Sequence, residues 1–156
     1  MLNSSPRLGR MLSLCLLISA ALVGAAHAQE RAVIWSGGAP KAIGPYSQAI
    51  KVGSLVFLSG QIGLDPTGKT ELSSLDVEAQ THRAMDNLAA VLGAAGLSLK
   101  DIVSTTLYVA DLKDFEAINR AYGSYFPSSA PARSTVQVAG LPRGAKIEIS
   151  AIAARP

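Results

Sequence analysis

The sequence predicts an α+β domain, a mixed or antiparallel β-sheet with two helices packed on one face. Three observations lead there. Apolar alternation of period two occupies the early and late parts of the chain, two segments of period 3.6 interrupt it, and clusters of Gly, Pro and Ser separate the runs.

The first segment reads as an address and not as structure. Arg7 and Arg10 form a positive start, Met11 to Ala26 is an uncharged apolar run, and Ala26-His27-Ala28 is a small-residue cleavage pattern. The run is shorter than the roughly 20 residues of a membrane span and has no basic stop-transfer flank. Export with cleavage after Ala28 is therefore expected, giving a secreted or periplasmic protein with no membrane attachment. Cys15 follows Leu14 rather than a small residue, so it reads as part of the leader and not as a lipid attachment site.

The remaining 128 of the 156 residues, 29–156, suffice for one domain and not for two. Arg7 and Arg10 leave with the leader, so 14 basic residues become 12 against 11 acidic ones, a formal charge of +1. These charges are scattered. A nucleic-acid binder usually carries a clustered basic stripe, so no nucleic-acid partner is expected. The only Cys also leaves, and stability in an oxidising compartment must come from packing alone.

Ala32 to Ser36 is a short β-prone run, and Gly37, Gly38, Pro40, Gly44 and Pro45 punctuate the loop before Tyr46. Ala49–Val52 and Leu55–Gln61 read as strands joined by a tight turn at Gly53-Ser54. From Asp76 the period changes: Val77, Thr81, Met85, Leu88, Leu92 and Ala95 recur at helical spacing, with Gly96 placed as the C-terminal cap. Ile102–Ala110 returns to period two, with Val103, Thr105, Leu107 and Val109 on one side. Asp114–Tyr125 is a second helix presenting Phe115, Ile118 and Tyr122, ended by Pro127. Two last strands follow, Arg133–Ala139 and Ile147–Ala153, separated by Leu141-Pro142-Arg143-Gly144.

Alternation also sorts the final strands. Ser134, Val136 and Val138, with Ile147, Ile149, Ala151 and Ala153, read as the core face, so Arg133, Thr135, Gln137, Glu148 and Ser150 are expected on the other side. That side either faces solvent, as in many antiparallel sheets, or is covered by another subunit. Tyr108 and Ile152 among small residues favour a covered face. An Arg and a Glu there would be partly desolvated, at a cost of several kcal/mol per charge unless partnered, which marks them as functional candidates beside the structural alternative of an ion pair.

Five ordered motifs carry a resemblance: Ala42-Ile43-Gly44-Pro45-Tyr46, Ser59-Gly60-Gln61-Ile62, Asp111-Leu112-Lys113-Asp114-Phe115 with Asn119, Pro131-Ala132-Arg133-Ser134, and Leu141-Pro142 followed by Lys146-Ile147-Glu148-Ile149. With these the chain resembles the RidA (YjgF-type) family of imine and enamine deaminases over almost all of residues 29–156. The resemblance implies a fold like that of a small trimeric chorismate mutase, a homotrimer with each cleft lined by two subunits, and no metal or organic cofactor. It assigns Arg133 to the substrate carboxylate, a role suited to the rigid guanidinium fork, and Glu148 to activating water. Tyr46, Ser59, the Gly60 backbone and the Thr135 backbone resemble the rest of the pocket, while Asn119 resembles a residue at the subunit boundary. Each also has a plain reading: Tyr46 packing after a Pro turn, Gly60 marking a bulge, Asn119 solvated. Thr135 stands where the family often has Cys, and Gly140 where a basic residue is frequent. His82 is the lone His after residue 28 and has no companion ligands, so no metal site is expected. The competing expectation is a trimer that binds small carboxylates without turnover. Ribonuclease chemistry would need a basic surface that the charge does not supply, and chorismate mutase chemistry is an analogy of fold alone.

Overall fold

The computed structural model describes residues 30–155. The proposed leader and its cleavage point at Ala28 lie outside the described residues. Six strands form one sheet in the order β1-β2-β3-β6-β4-β5: β1 (Arg31–Ile34), β2 (Ala49–Val52), β3 (Leu55–Ile62), β4 (Ile102–Val109), β5 (Ala132–Gln137) and β6 (Ile147–Ala154). Helices α1 (Val77–Ala94) and α2 (Phe115–Gly123) complete the predicted α+β fold. All pairings are antiparallel except β4 with β5, the two strands that α2 connects. The chain turns from β2 into β3 through Gly53-Ser54, with Val52 opposite Leu55.

The core lies between the inner face of the sheet and the helices. Val56, Leu58, Leu107, Val109, Ile147, Ile149, Ala151 and Ala153 meet Met85, Leu88, Val91, Leu92 and Ile118 there, all buried. Burying one such Leu or Ile side chain stabilises the fold by roughly 1.5–3 kcal/mol. The α1 stripe from Val77 to Ala95 is buried as its spacing predicts. The Asp76 side chain caps this helix by accepting from the Ala79 N–H at 2.7 Å. Gly96 ends it at φ +71, and the Leu97 N–H returns to the Leu92 carbonyl at 2.9 Å, a closure that needs a residue tolerant of positive φ.

Two buried polar residues of α1 fasten it to the loops. Asn87 Nδ2 donates to the Ile62 and Leu64 carbonyls, and Gln80 links the Leu72 carbonyl to the Lys146 N–H. This holds the end of β3 and the start of β6 together, where the candidate site forms. His82 lies on α1 against Tyr125, with its Nδ1 3.1 Å from the Tyr125 hydroxyl.

Two expected side-chain directions are corrected. Val103 is exposed, because the β4–β6 register shifts between Ile102 and Ser104 and puts Ile102 inward in its place. The larger correction concerns β5. Its register sets Arg133 opposite Thr105, Thr135 opposite Leu107 and Gln137 opposite Val109, and paired residues share a face. Thr105, Leu107 and Val109 are buried under the helices. Arg133, Thr135 and Gln137 therefore lie on the helix side, while Ser134 and Val136 share the outer face with Thr106 and Tyr108. The helix side of β5 is polar throughout and the outer side carries its apolar residues, Ala132 and Val136, so alternation along this edge strand points to the wrong face.

Candidate active site

Glu148 sits on β6 opposite Tyr108 of β4, on the outer face of the sheet. Its neighbour on the other flank is the irregular part of β3. Pairing with β6 runs from Leu58–Ala151 directly to Gln61–Ile149, so Ser59 and Gly60 together stand against Ser150 alone. The extra residue brings the Gly60 backbone up against the Glu148 side chain. A Cβ at position 60 would overlap the Glu148 carboxylate, lying 2.6 Å from its Cδ and 2.7 Å from its Cγ. Gly60 is thus a bulge residue, as its plain reading holds, and also the floor on which Glu148 rests.

Ile43, Tyr46, Ser59, Gly60, Ile62, Pro142 and Glu148 line an open cleft of about 280 Å³. Its walls are largely apolar, and Glu148 is its one ionisable carboxylate. Partial burial pushes the Glu148 pKa above its ordinary value. The Ser59 hydroxyl donates to the Ser47 carbonyl at 2.7 Å, and the Tyr46 hydroxyl accepts from the Ile43 N–H at 3.3 Å. Ser59 and Tyr46 therefore hold the loop that walls the cleft, and the Ser59 hydroxyl proton is already engaged. Pro142 belongs to a turn in which Arg143 adopts φ +57 and its Nη1 donates to the Gly68 carbonyl at 3.0 Å. This positive-φ, non-Gly conformation is strained, and the long-range contact to Gly68 helps hold it.

A second group lies on the helix side, at the β5 edge. The Arg133 guanidinium carbon stands 5.1 Å from the Tyr122 ring centroid and 5.7 Å from that of Phe115. Among the described residues no carboxylate lies within 4.0 Å of it; the ion pairs there are Lys113–Asp111 and Arg120–Glu78. Asn119 falls between Phe115 and Tyr122 on the same stripe of α2. Its Oδ1 and the Thr135 Oγ1 are sealed from solvent and have no hydrogen-bond partner.

The expected site residues thus divide into two groups within one chain. Tyr46, Ser59, Gly60 and Glu148 share the outer cleft, while Arg133, Thr135 and Asn119 gather on the opposite side of the sheet. Sequence reasoning did not assign Phe115 and Tyr122 to the Arg133 environment, although their i, i+7 spacing around Asn119 places all three on one helical stripe. The apolar cleft residues Ile62 and Pro142 belonged to recognised motifs without an assigned role.

The Endoribonuclease L-PSP family matches residues 36–155. The chain is 49% identical to Reactive Intermediate Deaminase A, chloroplastic, of Arabidopsis thaliana over 135 residues, covering 86% of this chain and 71% of the relative. It is 46% identical to the 2-iminobutanoate/2-iminopropanoate deaminase of Mus musculus over 123 residues, covering 79% of this chain and 90% of the relative. Among solved structures it is similar to E. coli TdcF with bound serine, at 44% identity and a TM-score of 0.75, covering 80% of this chain and 99% of that one. With a matching family, two long alignments and a shared fold, the chain belongs to the RidA/YjgF family, the Endoribonuclease L-PSP group.

Proposed function

We propose that the chain hydrolyses reactive 2-imino acids, and the enamino acids that tautomerise to them, to 2-oxo acids and ammonia, in clefts completed between copies of a homotrimer. The observation that carries this reading is the division of the site. The carboxylate base and the unpaired guanidinium lie on opposite sides of the sheet, so a single chain cannot apply both to one small substrate. A second copy can supply the missing half. The outer face also leaves Val33, Leu55, Phe57 and Val136 exposed, apolar surface of the kind that a neighbouring copy would cover.

In such a cleft Arg133 of one copy grips the substrate carboxylate through two parallel N–H donors. This presents the imine carbon to Glu148 of another. Glu148 takes a proton from a water molecule as its oxygen attacks that carbon, and the C=N bond becomes a C–N single bond with its electron pair on nitrogen. Glu148 returns that proton to nitrogen, giving the neutral carbinolamine. It then takes the hydroxyl proton and passes it to the amino nitrogen as the C–N bond breaks, so that the C=O of the oxo acid forms and nitrogen departs as ammonia. A carboxyl whose proton affinity is raised by burial is a stronger proton acceptor than an ordinary carboxylate, which favours taking the proton from water. The imine carbon beside a carboxylate is already electrophilic, so positioning supplies much of the rate. The deaminase names of the Arabidopsis and mouse relatives support this chemistry. Residues 1–28 are proposed to direct the protein out of the cytosol, where it would meet imino acids formed outside the cell or in the periplasm.

Complementation between two inactive variants tests the reading. Arg133→Ala and Glu148→Gln should each be inactive as pure trimers. Denatured together in equal amounts and refolded, they should recover about a quarter of the parent rate, the fraction of subunit boundaries that pair an intact Arg133 with an intact Glu148. No recovery in refolded mixed trimers would place both groups in one chain's site and refute the shared cleft. Full activity of Glu148→Gln would remove Glu148 from the water-activating role, and a parent that binds pyruvate but hydrolyses no imine above the buffer background would favour a trimer that binds carboxylates without turning them over.

A further inference from the structure

We propose that Phe115 and Tyr122 are positioning residues that seat the Arg133 guanidinium by its flat faces and leave its N–H edge open to a carboxylate; the proposal rests on the role given to Arg133 above. An arginine held by an acidic partner would have to surrender that partner before gripping a substrate. Arg133 has no such partner among the described residues, yet it is directed onto two rings. Stacking uses the face of the guanidinium, whereas hydrogen bonding uses its edge. The two interactions therefore do not compete.

The seat is itself fixed from beneath. The Tyr122 hydroxyl and Thr105 Oγ1 lie 2.8 Å apart in a buried contact, and Thr105 is the residue directly opposite Arg133 in the parallel β4–β5 register. The strand neighbour of Arg133 thus anchors the ring on which Arg133 rests. Tyr122 is only 4% exposed and packs against the Phe126 ring at 4.9 Å between centroids. Phe115 is 39% exposed and forms the outer lip of the seat. About two turns of α2 separate the rings, with Asn119 between them on the same stripe. The guanidinium has long, flexible attachment and five donors, so without the rings it would sample many orientations, and each productive contact would carry a larger entropic cost.

The measurement is pyruvate binding by titration calorimetry, with KM and kcat for 2-iminopropanoate generated in the assay, on the parent, Phe115→Leu, Phe115→Tyr and Arg133→Ala. Melting temperature and native mass serve as checks on folding and assembly. If the rings seat the guanidinium, Phe115→Leu raises KM and the pyruvate Kd roughly 2- to 30-fold, the loss of one cation–π contact. The rate constant kcat then changes little, because ground-state and transition-state binding suffer alike. Phe115→Tyr keeps a ring and should restore both constants. Should Phe115→Leu assemble normally and bind pyruvate as tightly as the parent while Arg133→Ala loses binding, the seat is overturned and the role of Arg133 stands. Undiminished pyruvate binding by Arg133→Ala would overturn the role of Arg133, and the seat with it. If Phe115→Leu fails to assemble, Tyr122→Phe supplies the second reading: it keeps the ring but removes the Thr105 anchor, and an unchanged KM would count against the seat.

Discussion

The carboxylate of Glu148 rests on the backbone of Gly60, in the space where any other residue would carry its Cβ. The relationship is set by one extra residue in β3, which breaks the pairing with β6 between Leu58 and Gln61. It makes Gly60 a determinant of where Glu148 can stand. Gly60→Ala should leave the fold intact, since the overlap is with the far end of a flexible side chain, but move the carboxylate. A displacement on the scale of an ångström can lower the rate by about 10²-fold. Steady-state kinetics beside a thermal melt would check this: kcat falls and Tm stays near the parent value. Parent-like kcat would show that the carboxylate has no need of its seat.

Glu148→Gln should retain carboxylate binding and lose about 10²-fold or more in rate, because the shape remains and the base is gone. The parent kcat/KM should also decline on the acid side as Glu148 becomes protonated, with a midpoint above the ordinary carboxylate range because burial raises its pKa. A pH–rate profile without that acid limb would remove Glu148 from the water-activating role.

The same shift has a consequence for stability. A carboxyl whose folded pKa is raised binds its proton more tightly in the native state than in the unfolded chain. The penalty is therefore present as pH rises through the folded value and absent below the unfolded value. Glu148→Gln should accordingly melt higher than the parent near neutral pH, and the difference should close in acid. Thermal melts across pH check it; a neutral-pH melting temperature below the parent's would contradict the burial argument.

The Thr135 hydroxyl is sealed between β5 and the helices without a hydrogen-bond partner. Leaving such a group unsatisfied costs about 1–3 kcal/mol. Thr135→Val keeps the shape and removes the polar atom, so it should stabilise the protein by roughly 1 kcal/mol or more in denaturant titration. Destabilisation would mean that the hydroxyl is bonded in the assembled protein.

The proposed leader makes its own prediction. Mass spectrometry of protein isolated from its native host should find a chain starting at Gln29. A soluble cytosolic product retaining Met1 would rule out export.

Much of the fold was legible in the residues themselves. The α1 stripe, its Asp76 and Gly96 ends, the Gly53-Ser54 turn and the inward face of β6 follow from local periodicity and turn chemistry, because each is decided by neighbours close in sequence. On β6 every inward position is apolar, Ile147, Ile149, Ala151 and Ala153, so the choice of face has one answer. The identities of Arg133 and Glu148 as candidates were also readable, from motifs and from the chemistry of a guanidinium and a carboxyl. Their placement was not. β5 turns its polar residues Arg133, Thr135 and Gln137 toward the helices and Val136 outward, and period two states that neighbours alternate without stating which side is covered. That was decided by its parallel register with β4, 28 positions earlier at the Thr105–Arg133 pair, and by aromatic rings on α2 that draw the guanidinium inward. The bulge at Ser59-Gly60 likewise arises from pairing with a strand nearly 90 residues away. Local patterns reveal which segments are strands and helices, whereas side-chain direction at an edge or a bulge depends on contacts between segments far apart in the chain, and only the folded structure contains those.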